Sequence, residues 1–211
     1  MIDAAGDLDP RFSRHASDVR GDQNDFGAGG PSRHTSVTLP RACLTPGLAH
    51  IIDAMVSGDE LRAVMRRVPA AVAVVTVEVD GRRAGLTVAS FVSLSLEPPL
   101  VGFAIRRDAA LHELLRESSE LAISVLADGQ DHLAQHFARG VPPIALWERI
   151  PLREPDAAGP PQLAGAAAWL RGRVEQEHET GDHTFFVAGI DAAEAGSARP
   201  LVFHDQAYAV L

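Results

Sequence analysis

Residues 71–99 have the sequence AVAVVTVEVDGRRAGLTVASFVSLSLEPP, and this stretch decides the fold of the chain. Its first seven residues are mostly β-branched, which predicts a buried strand. Asp80-Gly81 is a strong signal for a tight hairpin turn, so we expect a return strand over residues 84–92. Pro98-Pro99 interrupts the pattern, and another strand is predicted at residues 100–105. The folded part of the chain therefore opens with antiparallel strands.

Hydroxyl side chains recur in the second half of this stretch, between apolar residues, at Thr87, Ser90, Ser93 and Ser95. One interpretation is an edge strand whose Ser and Thr side chains face water. The other is a shallow platform of small hydrogen-bond donors where the backbone approaches a flat polar ligand. Composition alone does not decide between the two.

Helix signals flank the strands on both sides. Ser57-Gly58-Asp59-Glu60 forms a capping box, and apolar residues at helical spacing follow it until Pro69. A second helix is predicted at residues 109–117 with Asp108 as its N-cap, and a third at residues 131–138. Further strands are predicted at residues 121–126, 167–177, 184–191 and 207–211. This pattern predicts a mainly β (α+β) fold, an antiparallel barrel with short helices at its rim.

The length of 211 residues fits one domain plus a tail. Residues 1–50 are rich in Asp, Arg, Ser and Gly, and they carry too little apolar surface to offset the entropy of ordering the chain. We therefore predict a disordered N-terminal extension over residues 1–50 and a folded domain over residues 51–211. Residues 39–56 are ambiguous, with apolar residues that fit a short docking helix.

Charge and cysteine content exclude several classes of function. Lys and Arg total 19 against 28 Asp and Glu, and the net charge of −9 argues against binding to nucleic acid or to an anionic membrane. The single cysteine, Cys43, cannot form an intramolecular disulfide. Since no apolar run has the length of a membrane span and no signal peptide is evident, we expect a cytoplasmic protein. His132 and His136 lie one helical turn apart, but they lack a third ligand, so no metal site is predicted.

The segment Gly85–Pro99 resembles the signature of the short-chain flavin reductases, the small components that supply reduced flavin to two-component monooxygenases. Further pieces match that family in order and spacing. They include Leu61-Arg62-x-Val64-Met65-x-Arg67-x-Pro69, Ala122-Ile123-Ser124-Val125-Leu126, Gly181-Asp182-His183-x-Phe185-Phe186 and Pro200-Leu201-x-Phe203-His204. The resemblance covers about residues 57–211, which is essentially all of the predicted folded domain.

This resemblance implies a six-stranded antiparallel FMN-binding split barrel that forms a homodimer with flavin near the subunit interface. The implied reaction is hydride transfer from NAD(P)H to FMN or FAD. Reduced flavin would then be released and diffuse to a partner flavin-dependent monooxygenase. Flavin and nicotinamide carry that chemistry, and the protein supplies geometry and electrostatics.

The matching positions imply roles for particular residues. Those implied to bind the flavin ring, ribityl chain or phosphate are Thr87, Val88, Ala89, Ser90, Ser93, Arg106 and Arg107. His183, in the Gly181-Asp182-His183 piece, is implied to lie on the nicotinamide side of the site as the catalytic residue.

Asp108 stands where the family usually has hydroxyl residues that hold the flavin phosphate. A carboxylate there competes with phosphate for the positive helix N-terminus. We therefore expect either weak FMN binding, with Arg106 and Arg107 compensating, or phosphate held elsewhere. The segment 204–208 also departs from the family pattern. These departures keep open an alternative function, that of a non-catalytic flavin-binding split-barrel module or flavin electron carrier.

Overall fold

The computed structural model describes residues 56–139 and 143–210. The predicted N-terminal extension and almost all of the predicted docking helix lie outside these residues. The helices are α1 (Gly58–Met65), α2 (Ala110–Glu117), α3 (Asp131–Ala138) and α4 (Pro143–Leu146). The strands are β1 (Ala70–Ala71), β2 (Ala73–Val79), β3 (Arg82–Val88), β4 (Val92–Leu96), β5 (Pro99–Arg106), β6 (Leu121–Val125), β7 (Ala168–Thr180), β8 (His183–Ala195), β9 (Leu201–His204) and β10 (Ala207–Val210).

The strands form two antiparallel sheets. The larger has seven strands in the order β3-β2-β6-β7-β8-β5-β4, and the smaller has three in the order β1-β9-β10. The predicted class, a mainly β antiparallel fold with short helices, is confirmed. The count of six strands that the resemblance implied is lower than the ten strands of the described residues, which include the two-residue strand β1.

The predicted return strand over residues 84–92 is two strands, β3 and β4. Strands β3 and β4 both belong to the large sheet but lie at its opposite edges, where β3 pairs with β2 and β4 pairs with β5. Residues 89–91 therefore carry the chain from one edge to the other. The hydroxyl-bearing residues are therefore divided between three places: Thr87 lies in β3, Ser90 in the crossing, and Ser93 and Ser95 in β4.

Alternate residues of β2 pack into two apolar clusters, because successive side chains of a strand point to opposite faces. The first cluster joins β2, β5, β6, β8 and α2, and its larger members are Val75, Val77, Phe103, Ile105, Leu111, Leu115, Leu121, Ile123 and Phe186. The second joins β2 to α3, α4 and β9, with Val72, Val74, Leu126, Leu133, Phe137, Leu146, Leu163 and Leu201. Both faces of the sheet are thus covered around β2.

Candidate functional site

Three pieces of the sequence that were singled out separately meet at the C-terminal end of β5. Ser90 bonds to Ala104 of β5 through its hydroxyl. Two residues further along, Arg106 is the cross-strand partner of His183 at the start of β8. Directly opposed residues of neighbouring strands place their side chains on the same face of the sheet. The hydroxyl segment, the basic segment and the histidine therefore form one candidate site.

Beyond the N-terminal end of β4, the Ser90 side chain replaces that strand as the hydrogen-bond partner of β5. The β4 ladder reaches only as far as the Val92–Gly102 pair. At Ala104, the next residue whose backbone faces that edge, the Ser90 hydroxyl accepts from the amide at 2.8 Å and donates to the carbonyl at 3.2 Å. This side chain satisfies backbone groups that a strand would otherwise pair. The 89–91 crossing is held against β5 two residues before Arg106.

The residues before Ser90 are too buried to form a platform of free hydrogen-bond donors. Thr87 is 6% exposed, and its hydroxyl donates to the Ala134 carbonyl of α3 at 2.8 Å. Val88 and Ala89 are buried apolar residues. In contrast, Ser93 on the edge strand β4 is exposed. Thr87 thus holds β3 to a helix, and the expected row of free hydroxyls is not formed by Thr87 and Ser90.

Arg106 and Asp108 form a two-pronged ion pair. The Arg106 Nε and Nη2 atoms donate to the two Asp108 carboxylate oxygens at 2.9 and 2.6 Å. The prediction that Asp108 caps helix α2 is wrong, because the N-cap is Ala109 and it makes no side-chain cap bond. The preference of a guanidinium for bidentate carboxylate contacts explains the difference. One of the two expected phosphate-binding cations is therefore partly neutralised by its neighbour.

Arg107 is held by the β7–β8 turn. Its Nη2 donates to the Gly181 carbonyl at 2.7 Å, and its amide donates to the Asp182 carbonyl at 3.1 Å. Glu179 lies 3.9 Å from its Nη1 atom. A guanidinium carries five N–H donors, so Arg107 keeps donors for an anion while these contacts fix its position.

His183 is 8% exposed, and its Nδ1 lies 2.7 Å from the Asp182 carboxylate. That hydrogen bond lowers the pKa of the Asp182 carboxyl, and the nearby positive charge of Arg106 adds to the effect while partial burial opposes it. Because a carboxylate can only accept, the proton of this hydrogen bond lies on Nδ1, and Nε2 is the ring nitrogen that does not face Asp182. The ring is therefore oriented by the residue that precedes it.

His112 was not selected by sequence reasoning, because a lone histidine in a helix carries no distinguishing pattern. It is 5% exposed, and its Nε2 lies 2.8 Å from the hydroxyl of Thr184, the residue after His183. Its Nδ1 lies 2.9 Å from the Glu113 carboxylate. A second histidine is thus buried directly behind the candidate site.

Two shallow clefts lie away from this site. One, of about 410 Å³, is formed near Arg153 and Trp169, and the other, of about 400 Å³, lies beside Arg116 and Glu177. Neither is lined by a residue that was predicted to bind flavin. The candidate site is thus separate from both of these clefts.

The described part of the chain shows neither a metal-ligand cluster nor a membrane-spanning helix. Residues 56–139 and 143–210 contain no group of three or more His, Cys, Asp or Glu side chains placed to hold a metal ion. His132 Nδ1 and His136 Nε2 lie within hydrogen-bond distance of the separate carbonyls of Gly129 and Leu146. None of the helices in these ranges has the length and apolar character needed to cross a bilayer.

Fold and site together define a class of protein. The chain is a small, mainly antiparallel β protein, and its candidate site carries two arginines and an oriented histidine at the end of one strand. Such a site suits a flat ligand with an anionic group, and comparisons with known proteins identify the family within this class.

The family model "Flavin reductase like domain" matches residues 65–211. An NADH:FMN oxidoreductase of Rhodococcus qingshengii is 36% identical over 186 residues, which cover 84% of this chain and 92% of that protein. The reductase component of a Thermus thermophilus 4-hydroxyphenylacetate 3-monooxygenase is 32% identical over 152 residues, covering 71% and 94%. The structure of the Streptomyces globisporus NADH:FAD oxidoreductase SgcE6 with NAD and FAD fragments matches with a TM-score of 0.67 and 31% identity, covering 74% and 94%.

This chain belongs to the flavin reductase like family. The resemblance drawn from the Gly85–Pro99 segment is therefore confirmed, as are the split-barrel fold and the class of NAD(P)H:flavin oxidoreductase. The predicted cofactors, FMN or FAD with NAD(P)H, agree with those of the relatives.

Proposed function

We propose that this protein is an NAD(P)H-dependent flavin reductase that supplies reduced FMN or FAD, by diffusion, to a partner monooxygenase. The observation that carries the proposal is the meeting of Ser90, Arg106, Arg107 and His183 at the end of β5. The relatives include reductase components of such two-component enzymes. The protein acts in the cytoplasm, where a chain with the single cysteine Cys43 needs no disulfide.

The residues at the end of β5 fit a flavin in their donor chemistry. Arg107 offers guanidinium donors for a phosphate. The exposed Ser93 lies apart from it, because its partner in β5 is Val101, five residues before Arg106. Asp108 opposes an anion because it already occupies Arg106. Thr87, Val88 and Ala89 take part through the backbone of the 87–90 segment, since their side chains are buried. When flavin is bound, it accepts a hydride from the nicotinamide.

His183 serves the nicotinamide side of the site. Asp182 accepts from its Nδ1 and so holds the ring in one orientation. The backbone of His183 is paired with Arg106, so ring and guanidinium keep a fixed separation across two strands. Two paired strands thus hold both the residue for the anionic group, on β5, and the residue for the nicotinamide nucleotide, on β8.

The protein works as a homodimer that completes the site. Strand β4 lies at the edge of the large sheet and exposes three apolar side chains, Val92, Leu94 and Leu96, at 45%, 45% and 73%. The register shift between Ser93 and Ser95 sets Val92 opposite Gly102 and Leu96 opposite Pro99, so these two side chains lie on opposite faces of β4. Exposed apolar side chains on an edge strand favour association. Because β4 follows directly from the Ser90 crossing, a second chain that binds there lies beside the candidate site.

The activity is tested with the full chain, NADH or NADPH, and FMN or FAD, by following the loss of reduced-nicotinamide absorbance. We expect turnover that depends on added flavin. His183→Asn should lower kcat/KM for the nicotinamide about tenfold or more, because it removes an oriented group from the reacting site. His178→Asn, at an exposed position of β7, is the matched control and should leave turnover unchanged.

The outcomes of this assay separate the two candidate functions. Flavin binding without nicotinamide oxidation would refute the reductase and favour the non-catalytic module. Wild-type turnover that His183→Asn leaves intact would remove His183 from the site and leave the reductase assignment standing.

The dimer is tested by light scattering after size-exclusion chromatography. Leu96→Glu places a charge at the most exposed apolar residue of β4 without disturbing the core, so we expect monomers and reduced flavin affinity. Val64→Glu changes a similarly exposed apolar residue of α1, at 65%, and serves as the control. A Leu96→Glu protein that stays dimeric would place the interface elsewhere.

A further inference from the structure

A buried chain of polar side chains lies behind the candidate site, on the opposite face of β8 from His183. The His112 ring bonds to Glu113 through Nδ1 at 2.9 Å and to the Thr184 hydroxyl through Nε2 at 2.8 Å. His112 and Thr184 are 5% and 4% exposed, and the Phe186 ring packs against His112 edge-on at 5.6 Å. Only the Glu113 side chain reaches solvent, with 69% of it exposed.

Proton positions in this chain follow from donor and acceptor chemistry. An ionised Glu113 carboxylate can only accept, so the proton of the neutral His112 ring lies on Nδ1. Nε2 then accepts from the Thr184 hydroxyl. Each buried polar atom has a partner in this assignment, in agreement with the absence of unsatisfied buried side-chain atoms among the described residues.

A carboxylate, an imidazole and a hydroxyl in this order also form the nucleophilic triads of hydrolases. Here the hydroxyl is inaccessible to a substrate, because Thr184 is buried within β8, between β5 and β7. Neither of the two clefts is lined by Thr184. A positioning role fits the surroundings better than nucleophilic attack.

The His112–Thr184 hydrogen bond joins the two halves of the candidate site. Helix α2, which carries His112, begins at Ala110, directly after the 106–108 segment. Thr184 directly follows His183 in β8. The β5–β8 ladder itself pairs Arg106 with His183. A shift of α2 against β8 would instead move Asp108, which lies between β5 and α2 and whose carboxylate occupies the Arg106 guanidinium.

We propose that His112 and Thr184 are positioning residues that hold the 107–109 segment, between β5 and α2, in place relative to His183, a role that rests on the proposed reductase function. Their hydrogen bond fixes helix α2 to the strand that carries His183. Neither residue needs to touch flavin or nicotinamide for this role. Small errors in placement are costly in hydride transfer, because donor and acceptor must meet within a narrow range of distance.

The test compares Thr184→Val, which keeps the shape of the side chain and removes its hydroxyl, with Thr184→Ser, which restores the hydroxyl. We expect Thr184→Val to lower kcat about tenfold and to change the KM for nicotinamide much less. Thr184→Ser should recover most of the wild-type kcat. Because His112 and Thr184 act as a unit, His112→Phe combined with Thr184→Val should lose no more than the worse single variant.

Thr76→Val is the matched control. Thr76 is a fully buried strand residue whose hydroxyl donates to the Pro161 carbonyl at 2.7 Å, among contacts that belong to other strands and loops. Assays are run at a temperature where circular dichroism shows every variant to be folded. Thr76→Val should lose thermal stability and keep the wild-type kcat.

The outcomes distinguish this inference from the proposed function. An active wild type in which Thr184→Val and Thr76→Val have the same kcat would overturn the positioning role and leave the reductase standing. A kcat that Thr184→Ser fails to restore would also overturn it. A wild type without flavin-dependent nicotinamide oxidation would refute the reductase, and the positioning role with it.

Discussion

At the scale of single residues, Asp108 is the residue that we expect to weaken the binding of the flavin phosphate. Its carboxylate binds the Arg106 guanidinium through both oxygens and is otherwise largely exposed, at 68% of its side chain. In the proposed site, an incoming phosphate would have to displace this partner or bind with Arg107 alone. The flavin would then be held less tightly than by two unpaired arginines, which suits a ligand that leaves after reduction.

Asp108→Ser should strengthen FMN binding. It removes the competing charge and leaves a hydroxyl that can donate to phosphate, so we expect the FMN dissociation constant to fall about fivefold, the equivalent of ~1 kcal/mol. Quenching of flavin fluorescence measures the constant. Riboflavin, which lacks the phosphate, is the control ligand, and its affinity should not change. Equal FMN affinity in the two proteins would show that the phosphate is held elsewhere.

Asp182 gives a pH dependence of stability. Its pKa is lowered from 3.8, chiefly by the hydrogen bond from His183, so its charged form is more stable folded than unfolded. That contribution is present above about pH 3.8 and is lost as the pH falls through the lower, folded pKa. The Tm difference between wild type and Asp182→Asn should therefore shrink between pH 6 and pH 3. Since the Asp182 side chain is 80% exposed, we expect a difference of at most about 2 °C at neutral pH.

The same pair of measurements in a His183→Asn background is the control for this pH dependence. Without the donor ring, Asp182→Asn should change the Tm by the same small amount at every pH. A Tm difference in the wild-type background that persists at pH 3 would contradict the assigned cause.

The roles of these residues could be anticipated from sequence to different degrees. The family signature located Ser90, Arg106 and His183, and the structure brings them together. The hydroxyl spacing did not reveal that Thr87 points at α3, because a strand pattern shows alternation but not what packs against each face. The His112–Thr184 bond joins residues 72 positions apart and leaves no trace in local sequence.

At the scale of elements, the long β7–β8 hairpin depends on close backbone contact at a bulge. The β7–β8 register shifts between Arg171 and Gly172, and a Cβ at Gly172 would overlap the Gly189 carbonyl of β8. The obstacle is main chain, which cannot rotate away as a side-chain tip can. Glycine is therefore required at this position for the strands to stay paired.

Gly172→Ala should lower the free energy of unfolding by about 2–3 kcal/mol, a typical cost of forcing extra atoms into a packed site. Urea unfolding followed by circular dichroism measures it. Gly58→Ala is the control, because a Cβ there has no neighbour within 4 Å and alanine favours the helix. That variant should be as stable as wild type or slightly more so. A Gly172→Ala protein of wild-type stability would mean that the strands can separate at the bulge.

Element prediction from sequence succeeded where a periodic pattern was long and its ends were marked. Helix α3 has its predicted bounds, and α1 begins with the predicted capping box at Ser57. Strands β7 and β8 extend past their predicted C-terminal ends. Their last residues are exposed and pair through the backbone, so the sequence there shows no apolar alternation from which a strand could be predicted. The break at residues 89–91 was missed because Ser90 replaces a strand pair with a side chain.

At the scale of the whole molecule, both apolar clusters are built from residues at or after Val72. Helix α1 has no buried residue, and its backbone is tied to the remainder by the Asp205 amide, which donates to the Arg66 carbonyl. Among the described residues, no side chain before Val72 belongs to either cluster. The candidate site also lies entirely within residues 87–184.

A chain that begins at residue 51 should therefore fold and act as the full chain does. The truncation removes none of the described residues that form either cluster or the candidate site. We therefore expect kcat/KM within about twofold of the full chain, as for changes remote from a site. A shift in Tm should be correspondingly small. Thermal melts and nicotinamide oxidation by the two proteins, purified in parallel, measure both quantities. Because Val64 and Val68 of the following segment are exposed, at 65% and 46%, a truncated chain that aggregates or loses activity would show that residues 1–50 cover this apolar surface and belong to the functional unit.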